Sequence, residues 1–368
     1  MRMKSLFVAA LATMALASCN KEEGAKTPVG DGKTNFEVTL PGALETYAVE
    51  TPQVAGQITP LYSDVTVYLV DAGDNATAYT WTDEDIKAKS KRFEQIVLPK
   101  KAIVVVNKGA ATLPQSATMT ALTAALNTIA VADQNKAQAN VAAEDAKGNA
   151  AGDYISAQQV TLYGEQTTFT DETPTDGHTL KKAAVELKSL VSRFEAGTVK
   201  AGTGLKSLTV EAVYVNYFYN TYGKTEKQAL TETTWLYDTF TPTWATDAVS
   251  AEVTSQDGTK AYAYQVFAGD MIPHIIYKVG GELEDGYKLA DGTEGTFTGK
   301  YITVKGFKES GATVSTIEAH KIYKMGLTDG GIEITPEEIT DKPEKEKIDL
   351  IVAVTVADWI ETTVTPEI

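Results

Sequence analysis

The sequence predicts a mainly β protein built from two antiparallel β-sandwich domains, with a short helix inserted in the first. Three observations predict it. Short runs of β-branched and aromatic residues recur along all 368 residues. Glycine, proline and Asp-Gly signals separate them at intervals suited to antiparallel pairing rather than to βαβ units. The length is generous for one sandwich and sufficient for two domains that each bury a core.

The elements follow in order. Phe36, Val38 and Leu40 alternate with Glu37 and Thr39, a short half-buried strand ending at Pro41-Gly42. Residues 65–70 (VTVYLV) and 103–106 (IVVV) are stronger β-branched runs, and 160–163 (VTLY) ends at Gly164. After Pro114, Met119, Leu122, Leu126 and Ile129 fall at helical spacing, with Ser116 or Thr118 available as N-cap. Residues 132–151 turn polar and alanine-rich, as a frayed helical continuation or a surface loop. Another strand is expected over 183–191. Gly197, Gly202 and Gly204 interrupt the pattern and mark a domain boundary within 195–207. Beyond it, 208–219 alternates, with Val213, Val215, Tyr217 and Tyr219 on one face. Further strands are expected at 261–267, 274–279, 301–307 and 319–325.

The N-terminus reads as an address. Residues 1–18 have a basic start (Arg2, Lys4) and an apolar run over 6–16, too short to span a bilayer, so the segment is expected to be a removed signal peptide. It closes with Leu16-Ala17-Ser18-Cys19, which resembles the bacterial lipobox; the chain's only cysteine, Cys19, would carry the lipid. Cleavage at Ala15-Leu16-Ala17 is the alternative. A polar tether is expected over 19–34. Removing 1–18 takes away Arg2 and Lys4 and no acid, so the formal charge goes from −16 to −18. Such a surface repels phosphate backbones and argues against nucleic acid as a partner.

At the other end, 335–347 (TPEEITDKPEKEK) is expected to be an exposed, extended connector. Behind it Ile348, Leu350, Val352, Val354 and Val356 occupy one face of a strand about 30 Å long, followed by Trp359. A terminal apolar strand behind a charged hinge suits pairing with another sheet. Closing its own domain is equally open.

With these landmarks the chain resembles the fimbrillins, subunits of type V pili in Bacteroidales. The resemblance rests on Cys19, the strand 36–40, and VTVYLV at 65–70. It also rests on VTLYG at 160–164, Ser192-Arg193-Phe194 within 183–194, LTVEAVYVNYFYN at 208–220, HKIY at 320–323 and VTVADW at 354–359. It implies transthyretin-like sandwiches over 35–200 and 201–334, followed by a hinge and donor strands over 335–368. It also implies assembly by donor-strand exchange. A trypsin-like protease would cut the loop after the first strand; Phe36, Val38 and Leu40 would leave; and Ile348, Leu350, Val352, Val354, Val356 and Trp359 of a neighbour would fill the groove. The implied partners are other copies and related pilin subunits, the outer membrane through Cys19, and ligands on host or bacterial surfaces. The implied place is the outer membrane as precursor, then the surface fimbrium, with a shaft position favoured. One departure stands out: residues 41–57 contain neither arginine nor lysine, and Thr46-Tyr47-Ala48 occupies the place of the expected cleavage site. The subunit then uses a protease of other specificity or stays uncut as a terminal or anchoring subunit.

His178, His274 and His320 are far apart and fit no metal spacing, and no nucleophile elbow is present. Gly32-Lys33-Thr34 mimics the end of a phosphate loop, but Thr27 stands where its first glycine belongs. Asp83-Glu84-Asp85 lacks calcium-loop spacing and reads as a solvated face. No enzyme activity and no cofactor are expected. The aromatic stretch 214–222, with Trp235 and Trp244, supports the alternative reading, a monomeric surface lipoprotein that binds glycan or protein.

Overall fold

The computed structural model describes residues 33–40, 60–136, 143–151, 156–172, 180–197, 199–223, 238–239, 262–326, 331–343 and 350–358. The chain divides into two compact units. The first, Met1–Lys33, contributes only Lys33 to the described residues; the second, Thr34–Ile368, holds all the rest. The protein is mainly β, with several sheets.

Strands before Leu190 form two sheets. They are β1 (Lys33–Thr39), β2 (Val65–Val70), β3 (Asn75–Thr80), β4 (Ser90–Val97), β5 (Lys101–Val106) and β6 (Ser116–Thr118), then β7 (Leu162–Gln166), β8 (Thr170–Glu172), β9 (Leu180–Ala184) and β10 (Lys188–Ser189). One sheet has the order β4-β1-β9-β8, the other β10-β7-β5-β2-β3-β6. β2 and β5 sit in the middle of the second sheet, which is why their sequences are continuous apolar runs rather than alternations. Tyr79 of β3 meets Phe93 of β4 edge to face, ring centroids 4.9 Å apart, so the two sheets share a core.

Strands after Leu190 are β11 (Val191–Ala196), β12 (Val199–Ala201), β13 (Leu205–Asn216), β14 (Asp238–Thr239), β15 (Tyr262–Phe267), β16 (His274–Leu283), β17 (Thr296–Glu309), β18 (Ala312–Thr313), β19 (Lys321–Met325), β20 (Ile332–Ile334) and β21 (Leu350–Asp358). Nine of them make one sheet, β14-β13-β16-β17-β21-β19-β11-β15 with β18 on β17, while β12 and β20 pair separately. Phe307 of β17 and Phe194 of β11 are three strand spacings apart, about 14 Å in a flat sheet, yet their ring centroids are 5.2 Å apart. The sheet therefore curls over itself to close a core, and Phe194 also stacks on Tyr323 of β19 at 5.0 Å.

The structure breaks the strand expected over 183–191 into the end of β9, then β10 and the start of β11, so the sheets change at Leu190. A small polar network ties the two sets of sheets together. Asn135 exchanges hydrogen bonds with the backbone of Gln265 at 2.8 and 3.0 Å, and Gln265 Nε2 donates to Ser156 Oγ at 2.6 Å.

Among the described residues, three α-helices precede Leu190. The expected one is α2 (Met119–Leu126), capped by Thr118 Oγ1, which accepts from Ala121 N. α1 (Asp83–Ala88) was hidden in what reads as a solvated acidic face. Thr82 and Asp85 form a capping box, and the three acids lie in the first turn, where the helix dipole favours them. α3 (Val131–Gln134) is all that is helical within the described part of 132–151.

The connector is also corrected over 335–343, because it is docked rather than extended and exposed. Pro336, Ile339 and Pro343 are buried, Thr335 and Glu338 close a capping box, and Thr340 exchanges backbone hydrogen bonds with Tyr301 at 2.8 and 2.9 Å. Lys300 bridges Asp291 and Asp341. Residues 344–349 lie outside the described residues.

Candidate assembly site

The first strand is an interior strand. β1 lies between β4 and β9 and runs parallel to β9 in the register Phe36↔Lys181, Glu37↔Lys182, Val38↔Ala183. Beyond the ladder, Leu40 N donates to Lys89 O at 2.9 Å and Gln95 N donates to Asn35 Oδ1 at 3.2 Å. Phe36 and Val38 are 0% exposed and Leu40 5%. Phe36 meets Phe169 edge to face at 5.0 Å. Each of these aliphatic or aromatic side chains contributes about 1.5–3 kcal/mol by burial. Loss of β1 would open a slot between β4 and β9 about two strand spacings wide, roughly 10 Å.

On the solvent side of that slot sits a charge pattern the sequence reading missed. Lys182 Nζ bonds Glu172 of β8 at 2.8 Å and faces Glu37 of β1 at 3.7 Å, while Lys181, in register with Phe36 and so on the other face, pairs with Asp171. The hydrogen bond that Lys182 donates to Glu172, with Glu37 beside it, raises the Lys182 pKa above its ordinary value. The signal was available in sequence: the acid pair 171–172 and the lysine pair 181–182 are what two antiparallel neighbours would show.

The C-terminal strand is seated in the chain's own sheet. Leu350 to Val354 of β21 pair parallel with β17, and Val354 to Asp358 pair antiparallel with β19. Only Val354 faces both, and it is 6% exposed. β21 is therefore the seam where the curled sheet joins its two halves. Leu350, Val352, Val354 and Val356 all lie on it. Ile348, Trp359, Cys19 and the loop residues Thr46, Tyr47 and Ala48 lie outside the described residues, as do His178, Trp235 and Trp244.

The aromatic stretch is mostly packing. Phe218 is 1% and Tyr219 3% exposed; only Tyr217, at φ +63°, stands out at 37% and stacks on His274 at 5.1 Å. Such a positive φ is rare for a tyrosine and turns its ring outward from the strand end. His320 Nδ1 accepts from Ser189 N at 3.2 Å, a structural bond. Burial, helped by Lys305, pushes the His274 pKa down to about 4. The unfolded chain then binds more protons than the folded one between about 6.5 and 4, so stability falls as the pH drops through that window. The expected outcome is a thermal midpoint that falls less on acidification in His274→Phe than in the parent, read by circular dichroism at pH 7 and 4.5.

No family model matches the chain, and no curated protein matches it. Solved structures similar to it come from Bacteroidales and are described as a "putative cell adhesion protein" or a fimbrilin. A "putative cell adhesion protein" from Parabacteroides distasonis is 12% identical, with 89% of this chain and 99% of that one covered and a TM-score of 0.51. A protein of the same description from Bacteroides eggerthii is 16% identical over 89% of this chain and 96% of that one, TM-score 0.48. A fimbrilin from Porphyromonas gingivalis is 14% identical over 89% and 97%, TM-score 0.46. No helix among the described residues is long and apolar enough to cross a membrane. The likeness to the Parabacteroides distasonis protein shows the fold: this chain is built on the same mainly β, multi-sheet architecture.

Proposed function

We propose that the chain is a structural pilin that polymerises by donor-strand exchange into surface fimbriae used for adhesion, as a shaft subunit, after lipidation of Cys19 carries it to the outer membrane. The observation that carries this reading is the place of β1: a terminal strand wedged between β4 and β9, with Phe36, Val38 and Leu40 filling a slot that a strand of like pattern could refill. The tail supplies that pattern in Ile348, Leu350 and Val352. The fold shared with a protein described as acting in cell adhesion supports it.

The cleavage loop lacks a basic residue, so the test uses the full chain carrying Tyr47→Arg, treated with trypsin, beside the same chain truncated before Ile348. A new N-terminus at Ala48 is expected from both, and filaments by electron microscopy and boiling-resistant ladders only from the first. If the cut full-length chain stays monomeric, the reading fails.

The seating of β21 in its own sheet favours one other reading, a monomeric surface lipoprotein that binds glycan or protein, with exposed Tyr217 as its candidate contact. Retained binding to cells or glycans by the uncut monomer, lost in Tyr217→Ala, would select it.

A further inference from the structure

Resting on the donor-strand reading, we infer that the incoming tail of a second copy enters the slot parallel to β9 in one register, with Asp349 taking the place of Glu37 beside Lys182.

The removed strand and the tail share a pattern. Residues 36–40 read Phe-Glu-Val-Thr-Leu and residues 348–352 read Ile-Asp-Leu-Ile-Val, so apolar side chains alternate and an acid stands second in both. In the precursor, Phe36, Val38 and Leu40 point into the core while Glu37 faces outward, 3.7 Å from Lys182. Setting Ile348 on Phe36, Leu350 on Val38 and Val352 on Leu40 keeps all three core positions filled and returns a carboxylate to Lys182. A shift of two residues places Ile351 opposite Lys182, and a shift of four places Ala353 there. Both leave the ammonium without its second acid and, in the first case, against a branched apolar side chain. The only other acid on the strand, Asp358, lies beyond the apolar alternation that ends at Val356. Cross-strand opposite charges favour their own register in this way, because a slip of two residues removes the pair while leaving the inner face apolar.

This register also fixes the joint between subunits. The connector is docked as far as Pro343, so only residues 344–347 separate it from Ile348, at most about 14 Å of extended chain. Neighbouring subunits in this register sit on a short tie, whereas a four-residue shift would double its length.

The test uses full chains with Cys19→Ser and Tyr47→Arg, cut with trypsin. Acceptors carry Lys182→Cys, and donors carry one of Asp349→Cys, Ile351→Cys, Ala353→Cys or Thr355→Cys. Mixed and oxidised, the 182–349 pair is expected to give an intermolecular disulfide band and the other three little. In the trypsin-cut chain with Cys19→Ser and Tyr47→Arg and no introduced cysteine, Asp349→Lys is expected to lower filament yield about threefold to tenfold. Cross-linking from 351, 353 or 355 instead, with filaments still forming, overturns the register and leaves donor-strand assembly standing. Absence of filaments in the cut parent overturns both.

Discussion

A chain that ends at Pro343 loses the cooperative unfolding of its second half, while the sheets before Leu190 keep theirs. β21 contributes nine residues to the seam, pairing with β17 over its first half and β19 over its second. Several ladder hydrogen bonds at about 0.5–1.5 kcal/mol each, together with the burial of Val354 at about 1.5–3 kcal/mol, amount to about 5–10 kcal/mol. That is comparable with the whole stability of a typical domain, about 5–15 kcal/mol. Without β21 the inner face that Phe307 of β17 and Tyr323 of β19 share with Phe194 opens between the two strands. Amide exchange should show the difference most sharply, with protection of β17 and β19 lost and that of β2 and β5 kept. Full protection of Val304 and Ile322 in the truncated chain would mean that β21 is dispensable to its own sheet.

The same magnitude constrains strand exchange. A tail that enters a neighbour must first leave its own sheet, so the refilled slot must return about what the seam gave up. The slot offers pairing with β4 and β9 on both sides and burial at the three positions now held by Phe36, Val38 and Leu40. The two sites are matched in kind, and the net driving force is small beside the barrier of withdrawing a nine-residue strand. Under the proposed exchange, both slots are filled by the chain's own strands before cleavage, and removal of β1 would be the step that opens one.

Much of the fold was legible because its signals are local. VTVYLV and IVVV read as strong β-branched strands and are β2 and β5; Ser116 or Thr118 was available as N-cap, and Thr118 caps α2. What was not legible depended on distant partners. Nothing in VTVADW says that its first residues pair with β17 and its last with β19, since the same alternation fits its own sheet or another's. The slot around β1 had the same difficulty: Phe36, Val38 and Leu40 announce a strand, but the parallel pairing with β9, some 145 residues away, leaves no periodic trace. The docked part of the connector was misread because its charges, Glu337, Glu338 and Asp341, dominate its composition. Its few apolar residues, Pro336, Ile339 and Pro343, are the ones that pack.

β11 carries a buried charge pair whose burial depends on distant partners in the same way. Val-Ser-Arg-Phe-Glu-Ala alternates like a strand with one wet face, yet all six residues are buried. Arg193 and Glu195 are both 0% exposed, and Arg193 Nε donates to Glu195 Oε1 at 2.9 Å. The pair lies on the face that carries Gln265, the register partner of Arg193 on β15, whose amide reaches Ser156. Arg193 Nη1 and Nη2 and Glu195 Oε2 have no hydrogen-bond partner in the structure, so the pair is held by one good contact and is otherwise poorly satisfied. Breaking such a pair is costlier than replacing it, because the surviving charge keeps its desolvation penalty and loses its counter-charge. Arg193→Met is therefore expected to lower stability by about 3–5 kcal/mol, and Glu195→Leu by a similar amount. The double variant Arg193→Met/Glu195→Leu is expected to lie much nearer the parent, since two apolar side chains of similar volume fill the site with nothing left to solvate. Urea unfolding of the four proteins closes the cycle, and a favourable coupling of a few kcal/mol is the predicted result. Single substitutions that each cost under about 0.5 kcal/mol would mean that solvent reaches the pair.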